Sequence, residues 1–225
     1  MLVSIKNRIA FLSNPKCGTT SIEHALRGEC EIRMTSTAYF KHTDAVTFSK
    51  IWKPFLTKKL GIYNLLTICT TRSPSSKIVS WYKYRSRSQL KGSKRYLGDT
   101  LFRDFCSHSM QDQADKFFFD ASANKPIVDI AIPIECMKIL EDFVSKTFNI
   151  KAIPKINTSR EVDSSSYAAK MTSKDYEQVI QEEAKKASKI YTESVIRHKL
   201  IQDFFSDPNH HINLRSAAAN FQKYF

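Results

Sequence analysis

The segment Asn14-Pro15-Lys16-Cys17-Gly18-Thr19-Thr20 carries the residue types of an anion site. A tight loop that feeds a helix aims unpaired backbone N–H groups and the positive end of the helix dipole at one point. Lys16 adds a mobile ammonium, and Thr19 and Thr20 add hydroxyl donors. A phosphate or sulfate suits that equipment. The same residues would also form an ordinary strand-to-helix turn with a surface lysine, and the loop alone does not separate the two. Three other chemistries are excluded. A nucleoside-triphosphate loop needs Gly followed by Lys, but Gly18, Gly28, Gly61, Gly92 and Gly98 are followed by Thr, Glu, Ile, Ser and Asp. Glu23 stands where a cysteine phosphatase carries its arginine, and a dinucleotide turn needs several glycines where this one has a single residue, Gly18.

A second segment reads Arg72-Ser73-Pro74-Ser75-Ser76-Lys77-Ile78-Val79-Ser80-Trp81-Tyr82. Arg72 can grip a phosphate with two parallel N–H bonds, and Ser80 shares the following helix with Pro74 and Lys77. Together, the two segments resemble the signatures of PAPS-dependent sulfotransferases, most closely the carbohydrate-acting type. The first is similar to the loop P-K-x-G-T-T, which takes the donor's 5′-phosphosulfate. The second is similar to R-x-P-x-x-R-x-x-S-x-Y, whose first arginine and serine take the 3′-phosphate. Lys77 replaces the usual second arginine, which keeps the charge and loses the fork.

That resemblance implies donor binding by Pro15, Lys16, Cys17, Gly18, Thr19, Thr20, Arg72 and Ser80. A weaker likeness over residues 130–140 and 153–159, to the family's strand–Glu–helix unit and its later N-x-S segment, adds Asn157, Ser159 and Arg160. It implies in-line transfer of a sulfuryl group from PAPS to a hydroxyl, with Lys16 neutralising the leaving oxygen and no metal required. The acceptor's proton needs a base. His42, in Lys41-His42-Thr43, is the first choice, since a neutral imidazole suits that role near neutral pH; Glu23 and His24 on the first helix are the alternatives. Cys17 reads as a passive loop residue, although a thiol at a helix start can be activated.

The elements that must position these residues follow from the pattern. Residues 8–13 form a short apolar run that reads as a buried strand, and residues 20–27 read as a helix capped by Thr19 or Thr20. A helix over 44–60 follows from the spacing of Phe48, Ile51, Trp52 and Phe55. Strands are expected over 63–70 and 126–134, with helices after Pro74 and around Ile139, Leu140, Phe143 and Val144. Helical spacing continues through Tyr176, Val179, Ile180, Ala187, Ile190 and Tyr191, and again at Ile201, Phe204 and Phe205. This alternation predicts an α/β fold: a three-layer parallel sheet flanked by helices, of the P-loop-like sulfotransferase kind, with a helical C-terminal third over about residues 172–225. A single domain, residues 1–225, is expected.

The formal charge of +13 favours an anionic partner. From Lys83 to Arg95 there are six basic residues and no acidic ones, with Tyr82, Tyr84 and Tyr96 interleaved. With the resemblance, this favours an anionic or carbohydrate acceptor and no obligatory nucleic acid. A non-catalytic nucleic-acid or anionic-polymer binder is the rival. The five cysteines show no CxxC pair, so neither a zinc site nor a disulfide framework is expected. No apolar run reaches the roughly 20 residues that cross a bilayer, and residues 1–7 lack the core of a signal peptide. A cytoplasmic location without a transmembrane segment is expected, though a trimmed form of an anchored protein would read the same.

Overall fold

The computed structural model describes residues 1–111, 116–120, 125–156 and 162–207. In chain order the elements are β1 (Leu2–Ser4), β2 (Ile9–Leu12), α1 (Thr19–Leu26), β3 (Ile32–Arg33), α2 (Ala38–Lys41), α3 (Ala45–Thr47), α4 (Lys53–Leu60), β4 (Leu66–Thr71) and α5 (Pro74–Arg85). Then come α6 (Phe102–Ser109), β5 (Phe119–Asp120), β6 (Lys125–Pro126), β7 (Ile130–Pro133), α7 (Met137–Phe148), α8 (Tyr167–Lys170), α9 (Ser173–Ala184) and α10 (Lys189–Ser206). The chain divides into two compact units, both discontinuous. The first holds residues 1–72, 115–156 and 198–225; the second holds 73–114 and 157–197.

The first unit is built on a five-stranded mixed sheet of order β3-β1-β2-β4-β7. The expectation of an all-parallel sheet is corrected at one side. The strands β2, β4 and β7 are parallel, as predicted, while β1 runs antiparallel to both of its neighbours, β2 and β3. The cause is local. Only residues 5–8 join β1 to β2, too few for a crossover, so the chain must reverse in a hairpin. The reversal places Arg8 at φ 54°, with its N–H on the Ile5 carbonyl at 3.3 Å. At the amino ends of β4 and β7, Asp129 accepts from the backbone N–H and hydroxyl of Thr67, at 2.7 and 2.6 Å. That clamp fixes the register Ile68↔Ile130 through Thr71↔Pro133.

β2, β4 and β7 are buried along almost their whole length, as central strands covered on both faces should be. Helices flank the sheet and complete one apolar core. α1 contributes Ile22 and Leu26, α7 contributes Leu140, Phe143, Val144 and Phe148, and the end of α10 contributes Ile201, Phe204 and Phe205. The helix expected over 44–60 is present in three pieces, α3, a π-helical turn over Phe48–Trp52, and α4. Pro54 explains the break: it has no N–H to give the preceding turn, and the Lys53 N–H instead reaches back five residues to the Phe48 carbonyl. The expected strand over 126–134 is shorter, β7 alone. Lys125 and Pro126 pair instead with Phe119 and Asp120 in a separate two-stranded ladder.

The second unit is helical. Its core joins Ile78 and Tyr82 of α5 to Phe102, Cys106, Met110, Ala168, Tyr176 and Tyr191. The Tyr82 ring stands 5.0 Å from Phe102 and 6.3 Å from Tyr176, and its hydroxyl donates to the Thr100 carbonyl at 2.5 Å. The basic segment after α5 is folded around one carboxylate, Asp163. Asp163 accepts from the Tyr96 hydroxyl at 2.6 Å, lies 3.5 Å from the Lys91 ammonium, and receives the Ser165 N–H and hydroxyl. These donors hold its carboxyl well below the usual carboxylate range. No helix among the described residues is long and apolar enough to cross a membrane.

Candidate functional site

β2 and β4 run parallel, so their carboxyl ends open on the same edge of the sheet, where ligands of such sheets bind. The loop Ser13–Gly18 leaves β2 there. Lys16 sits at φ 64° and Gly18 at φ 72°, while Cys17 between them stays out of the left-handed region. Alternating hands along consecutive residues are the backbone pattern of an anion nest, although here the Cys17 N–H donates to the Asn14 carbonyl at 3.3 Å. A lysine in the left-handed region costs about 1 kcal/mol, and such outliers collect at functional sites. Gly18 is the N-cap of α1, and Ser21 and Ile22 donate to its carbonyl. The cap is therefore Gly18, not Thr19 or Thr20, which are the first two helical residues. Their N–H groups and that of Gly18 precede the first intrahelical bonds and face outward at the positive end of the helix.

β4 bolts the loop in place. The Asn14 side-chain amide donates to the Thr70 carbonyl at 3.0 Å, the Thr70 hydroxyl donates to the Cys17 carbonyl at 2.7 Å, and Arg72 Nη1 donates to the Lys16 carbonyl at 3.2 Å. Thr70 is fully buried, so its bond runs in a dry interior and specifies one loop conformation. Arg72 is half-buried, and burial lowers its pKa against the opposing pull of Cys17 and Glu135. Its Nε is buried without a hydrogen-bond partner, as is the Thr71 hydroxyl. Cys17 is 0% exposed, and its thiol turns toward the Pro15 carbonyl at 3.4 Å. This is the environment of an inert thiol.

Around Ser13, where the loop begins, lies a polar cluster that sequence reasoning did not assemble. Ser13 donates through its hydroxyl to Glu23 Oε1 at 2.6 Å, and Lys41 Nζ lies 2.8 Å from Glu23 Oε2. The Glu23 side chain is only 8% exposed and that of Lys41 20%. Glu23 is thus engaged by two partners. His24, one residue on, is exposed. His42 Nδ1 lies 2.7 Å from the Ser13 carbonyl. A carbonyl only accepts, so Nδ1 carries the proton and a neutral ring keeps its lone pair on Nε2. Burial, partly opposed by that bond, lowers the pKa of His42 and favours the neutral ring. The sequence could not show this cluster, because nothing in the pattern links position 13 to 23, 41 and 42.

The segment after β7 closes the same edge. A Cβ added at Gly18 would lie 3.4 Å from the Met137 methyl and 3.8 Å from Ile134 Cγ2. Between those two residues is Glu135, whose Oε2 is 3.6 Å from Nε2 of the buried His198. Of the expected donor contacts, the loop residues 15–20 and Arg72 come together in the first unit. Ser80 and Lys77 lie on α5, which belongs to the second unit and is capped by Ser73 accepting from the Ser76 N–H. Asn157, Ser159 and Arg160 lie outside the described residues. Comparison of the chain with known protein families, with curated proteins and with solved structures gave no match.

Proposed function

We propose that this chain is a sulfotransferase that moves a sulfuryl group from PAPS to the hydroxyl of an acceptor, with a fold of the P-loop-like sulfotransferase kind. The observation that carries the reading is the coupling of the two basic groups. Arg72, at the end of β4, grips the carbonyl of Lys16 in a nested loop at the end of β2, and its buried Nε has no protein partner. A donor with separate 5′ and 3′ anionic groups is matched by two such centres, and the resemblance in both segments names the donor. Ser80 is assigned to the 3′-phosphate on the resemblance alone.

In this reading the acceptor oxygen attacks sulfur in line, and the bond from sulfur to the 5′-phosphate oxygen breaks. Negative charge grows on that oxygen, where the Lys16 ammonium and the N–H groups at the start of α1 stabilise it. His42 Nε2 takes the acceptor's proton, and the products are the sulfated acceptor and adenosine 3′,5′-bisphosphate. His42 is favoured as base because Glu23 is engaged by Ser13 and Lys41. The acceptor is read as anionic or carbohydrate from the net charge. Calorimetric titration of the bisphosphate nucleotide without magnesium tests the reading. Binding by the wild type, lost in Lys16→Ala and Arg72→Ala and kept in His42→Ala, is expected. No binding by the wild type at high micromolar concentration would sink it.

A further inference from the structure

α10 buries one stripe along its length, made of Tyr191, Ser194, His198, Ile201 and Phe205. Four of these are apolar or small. His198 is neither, yet it is 5% exposed, and both of its ring nitrogens are buried without a hydrogen-bond partner. An imidazole denied both bonds in a dry interior is destabilising, so the position calls for a reason beyond packing. The Glu135 carboxylate lies 3.6 Å from Nε2, just beyond hydrogen-bond range.

Glu135 occupies a sensitive place. β4 and β7 pair in register up to Thr71↔Pro133, so Arg72 and Ile134 leave the sheet side by side. Arg72 is tied to the Lys16 carbonyl, and Ile134 and Met137 pack beside Gly18. The Glu135 carboxylate therefore stands at the rim of the anion loop. A carboxylate there competes with any incoming anion for Arg72, since both want the same guanidinium. That carboxylate also supports the charge of the half-buried Arg72.

We infer that His198 is a positioning residue for the anion site, acting through Glu135: its ring N–H draws the carboxylate away from Arg72 and leaves the guanidinium open to the donor's phosphate. The ion-pair spacing of 3.6 Å closes to a hydrogen bond when an anion takes over Arg72. The neutral ring with its proton on Nε2 suffices, because the role is that of a donor. This inference rests on the donor-site reading above.

The test is the affinity of the full chain for adenosine 3′,5′-bisphosphate, measured by calorimetry on five proteins. With wild type as reference, His198→Ala is expected to bind at least about fivefold more weakly, because the carboxylate, without the His198 N–H beside it, turns further toward Arg72. His198→Gln, which retains an N–H donor, stays within about twofold. Glu135→Gln binds at least as tightly as wild type. The double variant H198A/E135Q regains wild-type affinity, a recovery that simple loss of packing would not give. Unchanged affinity in H198A, or a double variant as weak as H198A, overturns the inference and leaves the donor site standing. Should H198A fail to fold, a Glu135→Gln variant weaker than wild type overturns it equally. A wild type that does not bind the nucleotide removes the donor-site reading, and this inference with it.

Discussion

Lys41→Met tests the polar cluster around Ser13 at the start of the anion loop. The Lys41 ammonium lies 2.8 Å from Glu23, whose side chain is 8% exposed and also accepts from Ser13. Removing one member of a buried pair leaves the other charge uncompensated, at about 3–5 kcal/mol. Lys41 is 20% exposed, the Ser13 hydroxyl remains on Glu23, and the Met1 ammonium stays on Ser13 Oγ at 3.2 Å, so no more than the low end, about 3 kcal/mol, applies here. For a chain of this size about 2–4 °C is lost per kcal/mol, which gives a fall of roughly 6–12 °C in the unfolding temperature of the first unit. Scanning calorimetry reads it directly. The double variant E23Q/K41M removes both charges and should recover to within about 1 kcal/mol of wild type. Because Glu23 holds Ser13 and Ser13 holds His42, Lys41→Met should also slow the proposed sulfuryl transfer more than it weakens the proposed nucleotide binding. A loss in K41M below about 1 kcal/mol, or a double variant no more stable than K41M, would refute the idea that a buried pair supports the loop.

Thr70→Val keeps the shape of a fully buried side chain and removes its bond to the Cys17 carbonyl. A stability loss of about 1–3 kcal/mol by urea titration is expected, with weaker nucleotide binding. Gly18→Ala places a Cβ at φ 72° and should lose about 1–2 kcal/mol together with nucleotide affinity; full retention of both would contradict the nest. His42, with its pKa below the usual histidine value, is neutral in the fold over a range where the unfolded chain already binds a proton. Its contribution is present above about pH 6.5 and lost as pH falls through the folded value. Wild type should therefore lose more stability than His42→Gln between about pH 8 and about pH 5. None of the five cysteines is in a disulfide; four are buried and Cys136 is half-exposed. A thiol reagent under native conditions should label Cys136 first and leave Cys17 untouched.

What the sequence revealed was whatever repeats at short range. β2, the loop and α1 were visible because an apolar run, a Pro-Lys-x-Gly turn and a 3.6-residue period are local signals. β4, the helix start at Pro74, and α7 were visible for the same reason. β1 and β3 were not, since strands of three and two residues carry no period to read. Their presence made the sheet mixed. The interruption at Pro54 was foreseeable from its missing N–H, yet the apolar spacing across it masked the break. At the site, Lys16, Arg72 and His42 were named from residue type and order. Their supports were not, because the bonds from Thr70 to Cys17 and from Ser13 to Glu23 join positions that only the fold brings together. His198 was not named as a site residue, although a histidine sharing a helical stripe with Tyr191, Ile201 and Phe205 is itself a local signal.

The way the first unit is assembled from three stretches of chain has a consequence for its synthesis. Its sheet is complete once Pro133 has been made, but its apolar core also takes Ile201, Phe204 and Phe205. Between those points the ribosome must deliver the second stretch of the other unit, residues 157–197. A nascent chain halted near residue 156 would therefore carry a finished sheet with part of its apolar core uncovered, an invitation to aggregation or to a chaperone. The last turns of α10 then act as a closing step in biogenesis: the anion loop becomes part of a sealed unit only when the helix bearing His198 has left the ribosome.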